Sequence, residues 1–208
     1  MKPFSKNEYI GIGIILLVTF SVTFINMRLA LRRARDAQRK ADLGTISDAL
    51  HEYRSDFGFF PPSGDAKIKA CPADNFYQVI ALLKEAEVPN YNLLFQGLRP
   101  CEWGKDSLTD LGLFGSSEKV YLKTLFADPQ KNDGISYYYL SNSKRFQLYS
   151  NLEGGEDEDG YNYKIVGRNL NCGGRICSYG KSFAETPLDK SIEEYENELA
   201  EREKAGKK

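Results

Sequence analysis

Tyr9 to Met27 (YIGIGIILLVTFSVTFINM) is a run of 19 residues without a charge, placed near the start of the chain. As a helix it spans roughly 28 Å at about 1.5 Å per residue, the thickness of a bilayer's hydrocarbon core. Apolar side chains lie all round that helix, Ile14, Leu16, Leu17, Phe20, Phe24 and Ile25 among them. A small domain cannot cover every side of such a helix, so the run is read as a membrane span rather than a core helix. A cleaved secretory signal fits less well. It has a shorter apolar region and a small-x-small site, whereas Met27-Arg28-Leu29 leads straight into a basic stretch.

That stretch, MRLALRRARDAQRKADL (27–43), carries Arg28, Arg32, Arg33, Arg35, Arg39 and Lys40 against Asp36 and Asp42. In isolation it resembles an arm for nucleic acid. The whole 208-residue chain has a formal net charge of -1, however, and nucleic-acid proteins usually extend their basic character over a folded face. No nucleic-acid partner is expected. Arg28, Arg32, Arg33 and Arg35 instead read as a membrane-proximal neck that meets anionic headgroups or the carboxylates of neighbouring subunits.

The helical signal continues past the neck. Ala34, Ala37, Ala41, Ile46, Ala49, Leu50, Tyr53 and Phe57 recur mostly at steps of three and four residues, forming one stripe that is small at first and bulky later. Gly58 and the Pro61-Pro62 pair stop it. Residues 1–8 are then expected to be a short cytoplasmic leader, 9–27 a transmembrane helix and 28–57 a stem helix. Residues 58–184 form a globular head, and 185–208 a charged helical tail.

Within the head, VIALLKEAEV (79–88) reads as an amphipathic helix and 106–114 as a weaker helical candidate. GISYYYL (134–140) and RFQLYSNL (145–152) read as a hairpin, and YNYKIVG (161–167) as a third strand. Thr186-Pro187-Leu188-Asp189 resembles a helix start, with Leu188, Ile192, Tyr195 and Leu199 as its stripe. The chain has four cysteines, Cys71, Cys101, Cys172 and Cys177, none spaced as CxxC. An even set in a globular region points to disulfides and an oxidising compartment. Three connectivities are open; Cys71–Cys101 with Cys172–Cys177 is favoured because each bond closes a local loop. The positive-inside rule alone would place the head in the cytoplasm, and the cysteines pull the other way.

These pieces, in this order, are similar to a type IV pilin-like protein, nearest to the major pseudopilins of type II secretion. The resemblance rests on the N-terminal apolar helix, on RRARDAQRKADLGTISDALHEYRSDFGFFPP, on YLKTLFADPQ followed by ISYYYL, and on FQLYSNLEG. It covers about 110 of the 208 residues. It implies an α+β fold, a long helix whose C-terminal half packs on a small antiparallel head outside the cytoplasmic membrane, and like subunits that assemble through their N-terminal helices. It also settles the orientation, because pilins often carry basic residues just past the apolar segment.

The chain departs from the family at its start. Members carry a glycine cut by prepilin peptidase and a glutamate at the fifth mature position. Here a cut after Gly11 puts Leu16 at that position and a cut after Gly13 puts Val18, while Glu8 precedes the apolar run. An uncleaved, permanently anchored relative is thus a second expectation.

One ligand is weighed. Glu153, Glu156, Asp157 and Asp159 lie in a glycine-flanked loop of hard oxygens that suits calcium, and related pseudopilins often bind calcium in a C-terminal loop. EF-hand spacing fails, since a turn glycine at Gly160 puts the first ligand on Gly155 and the last on Val166. No catalytic constellation stands out, and His51 has no nucleophile beside it in sequence. The expected function is a structural subunit of a pilus or pseudopilus. The alternative is a signal-anchored module that grips an extracellular glycan or protein.

Overall fold

The computed structural model describes residues 5–85, 91–112 and 118–206. Its first element, α1, runs unbroken from Lys6 to Phe57, about 78 Å at the rise of an α-helix. Glu8 closes the N-terminus by accepting the Ser5 backbone N–H. Gly58 ends the helix in the left-handed region (φ 79°), with its N–H returned to the Arg54 carbonyl.

Only the C-terminal part of α1 is covered, and its buried residues are Asp36, Arg39, Asp42, Leu43, Ile46, Ser47, Ala49, Leu50, Tyr53 and Phe57. From Leu43 onward the expected stripe holds. Leu43, Ile46, Leu50 and Tyr53 pack with Phe60, Ile68, Leu108, Leu125, Tyr139, Phe146 and Leu148 in the main core. Each fully buried aliphatic or aromatic side chain contributes about 1.5–3 kcal/mol. Nearer the N-terminus the expectation fails: Ala34, Ala37 and Ala41 are exposed. The face turned to the head there carries Asp36, Arg39 and Asp42, and Ala37 lies about half a turn from Arg39.

Every strand pair among the described residues of the head is antiparallel. Strands β1 (Ser63–Gly64), β2 (Lys67–Pro72) and β3 (Leu98–Pro100) form one sheet, with helices α2 (Phe76–Glu85) and α3 (Tyr91–Gln96) between β2 and β3. Strands β4 (Leu108–Thr109) and β5 (Val120–Leu122) pair separately. Strands β6 (Tyr138–Ser141), β7 (Phe146–Ser150) and β8 (Tyr179–Ser182) form the third sheet, with β7 central.

The β6–β7 hairpin expected from sequence is present, with Tyr138 opposite Tyr149 and Ser141 opposite Phe146. Its loop is held by Asn142, whose side-chain oxygen accepts the N–H groups of Lys144 and Arg145. All five residues of β7 are buried. Phe146 and Leu148 face the main core, while Tyr149 joins Ile165, Cys172 and Cys177 in a second cluster on the other side.

Three expected elements are corrected. Residues 161–167 are not a strand: Asn162 caps a short helix, α4 (Tyr163–Gly167), by accepting the Lys164 N–H. The 106–114 segment is not helical where it is described. Asp106 accepts from Arg99 and from the Glu102 N–H, and Leu108 pairs with Leu122; residues 113 and 114 lie outside the described residues, as do 86–88 of the amphipathic segment. The tail helix, α5 (Ile192–Ala205), begins later than Thr186. Ser191 and Glu194 form a reciprocal capping box at its start, while Pro187 and Lys190 give their carbonyls to Gln147 of β7. Its first turn sits on the head through buried Ile192 and through Arg145, which bonds Glu196 at 2.6 Å and lies over the Tyr195 ring.

Both favoured disulfides are present. Cys71–Cys101 ties β2 to the residue after β3, and Cys172–Cys177 closes the loop after α4. In that second loop Gly173 has φ 73°, and a Cβ there would lie 2.1 Å from the Gly134 carbonyl oxygen. Only glycine fits the approach.

Candidate functional site

Two neighbouring regions of α1 carry the features that the rest of the fold leaves unexplained. The first is the apolar run. Leu17 is 68% exposed, Phe20 79% and Ile25 67%, and Ile14, Leu16 and Phe24 are likewise uncovered. The polar groups in the run are satisfied within the helix: the hydroxyls of Thr19, Ser21 and Thr23 donate to the carbonyls of Ile15, Leu17 and Thr19. A helix that returns its own hydrogen bonds and shows apolar side chains on all sides suits hydrocarbon, not water. It is the one candidate membrane span among the described residues.

The second region is the neck, where the structure divides the basic residues into two sets. Arg35, Arg39 and Lys40 turn to the head. Arg39 is fully buried and uses all five of its donors. Nε and Nη2 reach the two oxygens of Asp128 at 2.7 and 2.9 Å, Nη1 reaches Asp36 and Glu153 at 2.7 Å each, and Nη2 also reaches Gln130 at 3.0 Å. The planar fork of arginine matches this arrangement, and a lysine would not.

Arg35 binds both oxygens of Glu153, at 2.7 and 2.6 Å, and Lys40 pairs with Glu158 at 2.8 Å. Asp36 looks outward from the helix and accepts the backbone N–H groups of Glu153 and Gly154. One turn further on, the Tyr137 hydroxyl donates to Asp42 at 2.6 Å. This clasp locks the stem to two separate loops of the head, around Asp128 and around Glu153.

The electrostatics follow from the partners. The Arg35 hydrogen bonds, joined by Arg39 and opposed by burial, hold the Glu153 carboxyl down at about 2. Burial works against the charge on Arg39, yet the carboxylates of Asp128, Glu153 and Asp36 outweigh it and keep the guanidinium more firmly protonated than usual. Asp42 is shifted the other way: burial, with the nearby Asp128 charge, raises it against the pull of the Tyr137 hydroxyl.

Arg28, Arg32 and Arg33 form no ion pair among the described residues. The Arg28 guanidinium folds back over the Phe24 ring at 4.3 Å from its centroid, and the Nε of half-buried Arg32 has no acceptor.

Two expectations from sequence change here. Arg35 does not stand with Arg28, Arg32 and Arg33, because the Glu153 loop packs against that turn of α1 and takes up its charge. Glu153, placed in the calcium set, turns inward to two arginines instead of outward to a cation. Glu156, Asp157 and Asp159 remain exposed, and Glu156 raises the pKa of the neighbouring Tyr163 hydroxyl. The grouping of three metal-type ligands found among the described residues is Cys71, Cys101 and Asp106, and its sulfurs are joined as a disulfide. His51 lies at the rim of an aromatic cluster, with its ring centroid 5.8 Å from Phe146 and 5.4 Å from Phe183.

The sequence places Arg39 and Asp36 among the neck charges and gives no sign that they meet Asp128. The available signal was the i,i+3 pair Asp36–Arg39 on the face continuous with Leu43 and Ile46; Asp128 and Glu153, about 90 and 115 residues downstream, gave none. Comparison with protein-family models, characterised proteins and solved structures finds no match to this chain.

Proposed function

We propose that this chain is a single-pass membrane protein with a cytoplasmic N-terminus and an extracytoplasmic head. In this reading it acts as a structural, non-catalytic subunit of a pilus or secretion pseudopilus, joining like subunits through its N-terminal helix. The observation that carries the reading is the continuity of α1. One helix is bare and apolar over a bilayer's length, and the same helix supplies a face of the head's core and the buried Arg39 clasp. Anchor and head then share one continuous helix, which suits a building block that must transmit position from helix to head. The two disulfides support an oxidising compartment for the head.

A signal-anchored binding module is the second reading, favoured by the departure at the N-terminus, where no glycine is placed to put a glutamate at the family's fifth mature position. The two differ in what the apolar helix must do. In a subunit, Leu16→Lys or Ile25→Lys abolishes cross-linkable oligomers in the membrane while the head stays folded. In a tethered module the wild-type chain is already monomeric. Chemical cross-linking in native membranes separates them, and a wild-type chain that never cross-links to another pilin-like chain removes the subunit reading.

A further inference from the structure

The neck cations were one group in the sequence and are two in the structure. Lys40, Arg39 and Arg35 are consumed by head carboxylates. Arg28, Arg32 and Arg33 lie between that clasp and the apolar run, and none has an anionic partner among the described residues. Arg28 and Arg32 are one turn apart on the same face of α1, the face that carries the head further along.

Two details bear on what partner they take. The Arg28 side chain bends toward the N-terminus and stacks on Phe24, the last aromatic residue of the apolar run. Its charge thus lies at the level where hydrocarbon gives way to headgroups. Arg32 is half-buried with an unanswered Nε, and Glu153 of the clasp already gives both its oxygens to Arg35 and one of them to Arg39 as well.

We infer that Arg28, Arg32 and Arg33 form a binding site for the phosphate of an anionic phospholipid in the leaflet on the head's side. The guanidinium forks bind phosphate oxygens in pairs, and the clasp ensures that these three arginines, not all six cations, face the lipid. The chemistry is that of a phosphodiester beside an apolar chain, because the arginines adjoin an uncovered helix of bilayer length. The inference rests on the membrane reading of α1.

The test uses the full chain in mild detergent, with short-chain phosphatidylglycerol, phosphatidylcholine and inorganic phosphate as probes and native mass spectrometry as the readout. Phosphatidylglycerol should bind more tightly than phosphatidylcholine, by roughly five-fold for each arginine engaged, and inorganic phosphate should not compete at equal concentration. The R28Q/R32Q/R33Q variant should lose the preference. A charge-matched K105Q/K123Q/K144Q variant, altered at exposed head lysines, should keep it.

Equal binding of the two lipids overturns the inference, as does a preference retained by the arginine variant or lost equally in the lysine variant. Full competition by inorganic phosphate would mark a simple anion site. Cross-linking of Arg28 or Arg32 positions to a second copy's carboxylates at the expense of lipid would assign the arginines to a subunit contact. Partition of the wild-type chain into phosphatidylcholine vesicles tests the membrane reading separately: a chain that partitions but shows no preference sinks only the lipid site.

Discussion

Replacing Arg39 with methionine keeps much of the side chain's volume and removes its charge and all five donors. Asp128 and Asp36 are both fully buried and would lose their cation. Each retains some compensation: Asp36 still accepts two backbone N–H groups and Asp128 still accepts the Gln130 N–H. Breaking a buried ion pair by removing one partner costs about 3–5 kcal/mol, and these residual bonds favour the lower end. At about 2–4 °C per kcal/mol for a domain of this size, the melting temperature should fall by roughly 10 °C.

The assay is thermal unfolding of the full chain in detergent, followed by fluorescence of its one tryptophan, Trp103, whose ring meets Tyr137 edge-on. The R39M/D36N/D128N variant should recover a large part of the loss, since no buried charge is then left uncompensated. A melting temperature for R39M within about 2 °C of wild type, or a triple variant less stable than the single, would refute the argument that electrostatic pairing holds the stem to the head.

Glu153 gives a pH signature. Its folded value of about 2 lies below its ordinary 4.5, so its contribution is complete above about pH 4.5 and is lost as pH falls towards 2, on the order of 3 kcal/mol in all; urea midpoints at pH 6 and pH 3 should lie closer together for Glu153→Gln than for wild type. The disulfides should differ in weight. Removing Cys71–Cys101, which spans 30 residues, should cost about 3–4 kcal/mol, and removing Cys172–Cys177, which spans 5, about 2, an order that denaturant titration of the paired alanine variants will show. Ser191→Ala should weaken the start of α5 by about 1 kcal/mol, read as faster amide exchange over residues 192–196 with no change in the β6–β7–β8 sheet.

The parts of the fold that were legible in sequence are those specified by local pattern. The uncharged run, the Leu43-to-Phe57 face of α1, its stop at Gly58 and the Tyr-rich hairpin all follow from periodicity or from residues with one conformational use. The parts that were not legible depend on partners far away in the chain. Residues 161–167 alternate like a strand, but an asparagine cap at Asn162 and burial of Ile165 against the back of β7 make them helical. β2 and β8 carry lysines and glycine, and they are strands because β3 and β7 offer them an edge. At the neck the alanines looked like the contact stripe because burial was equated with apolarity. The head instead buries a charged face, and that needs carboxylates from two loops which no local pattern joins to Arg39.

The most direct test of the central claim is the side of the membrane on which the head lies. With Lys144→Cys as a label site at the exposed tip of the β6–β7 hairpin, a membrane-impermeant maleimide should modify the chain in intact cells, and the protein should stay in the membrane after alkaline carbonate extraction. Modification only after lysis, or release by carbonate, would contradict a head anchored outside by α1.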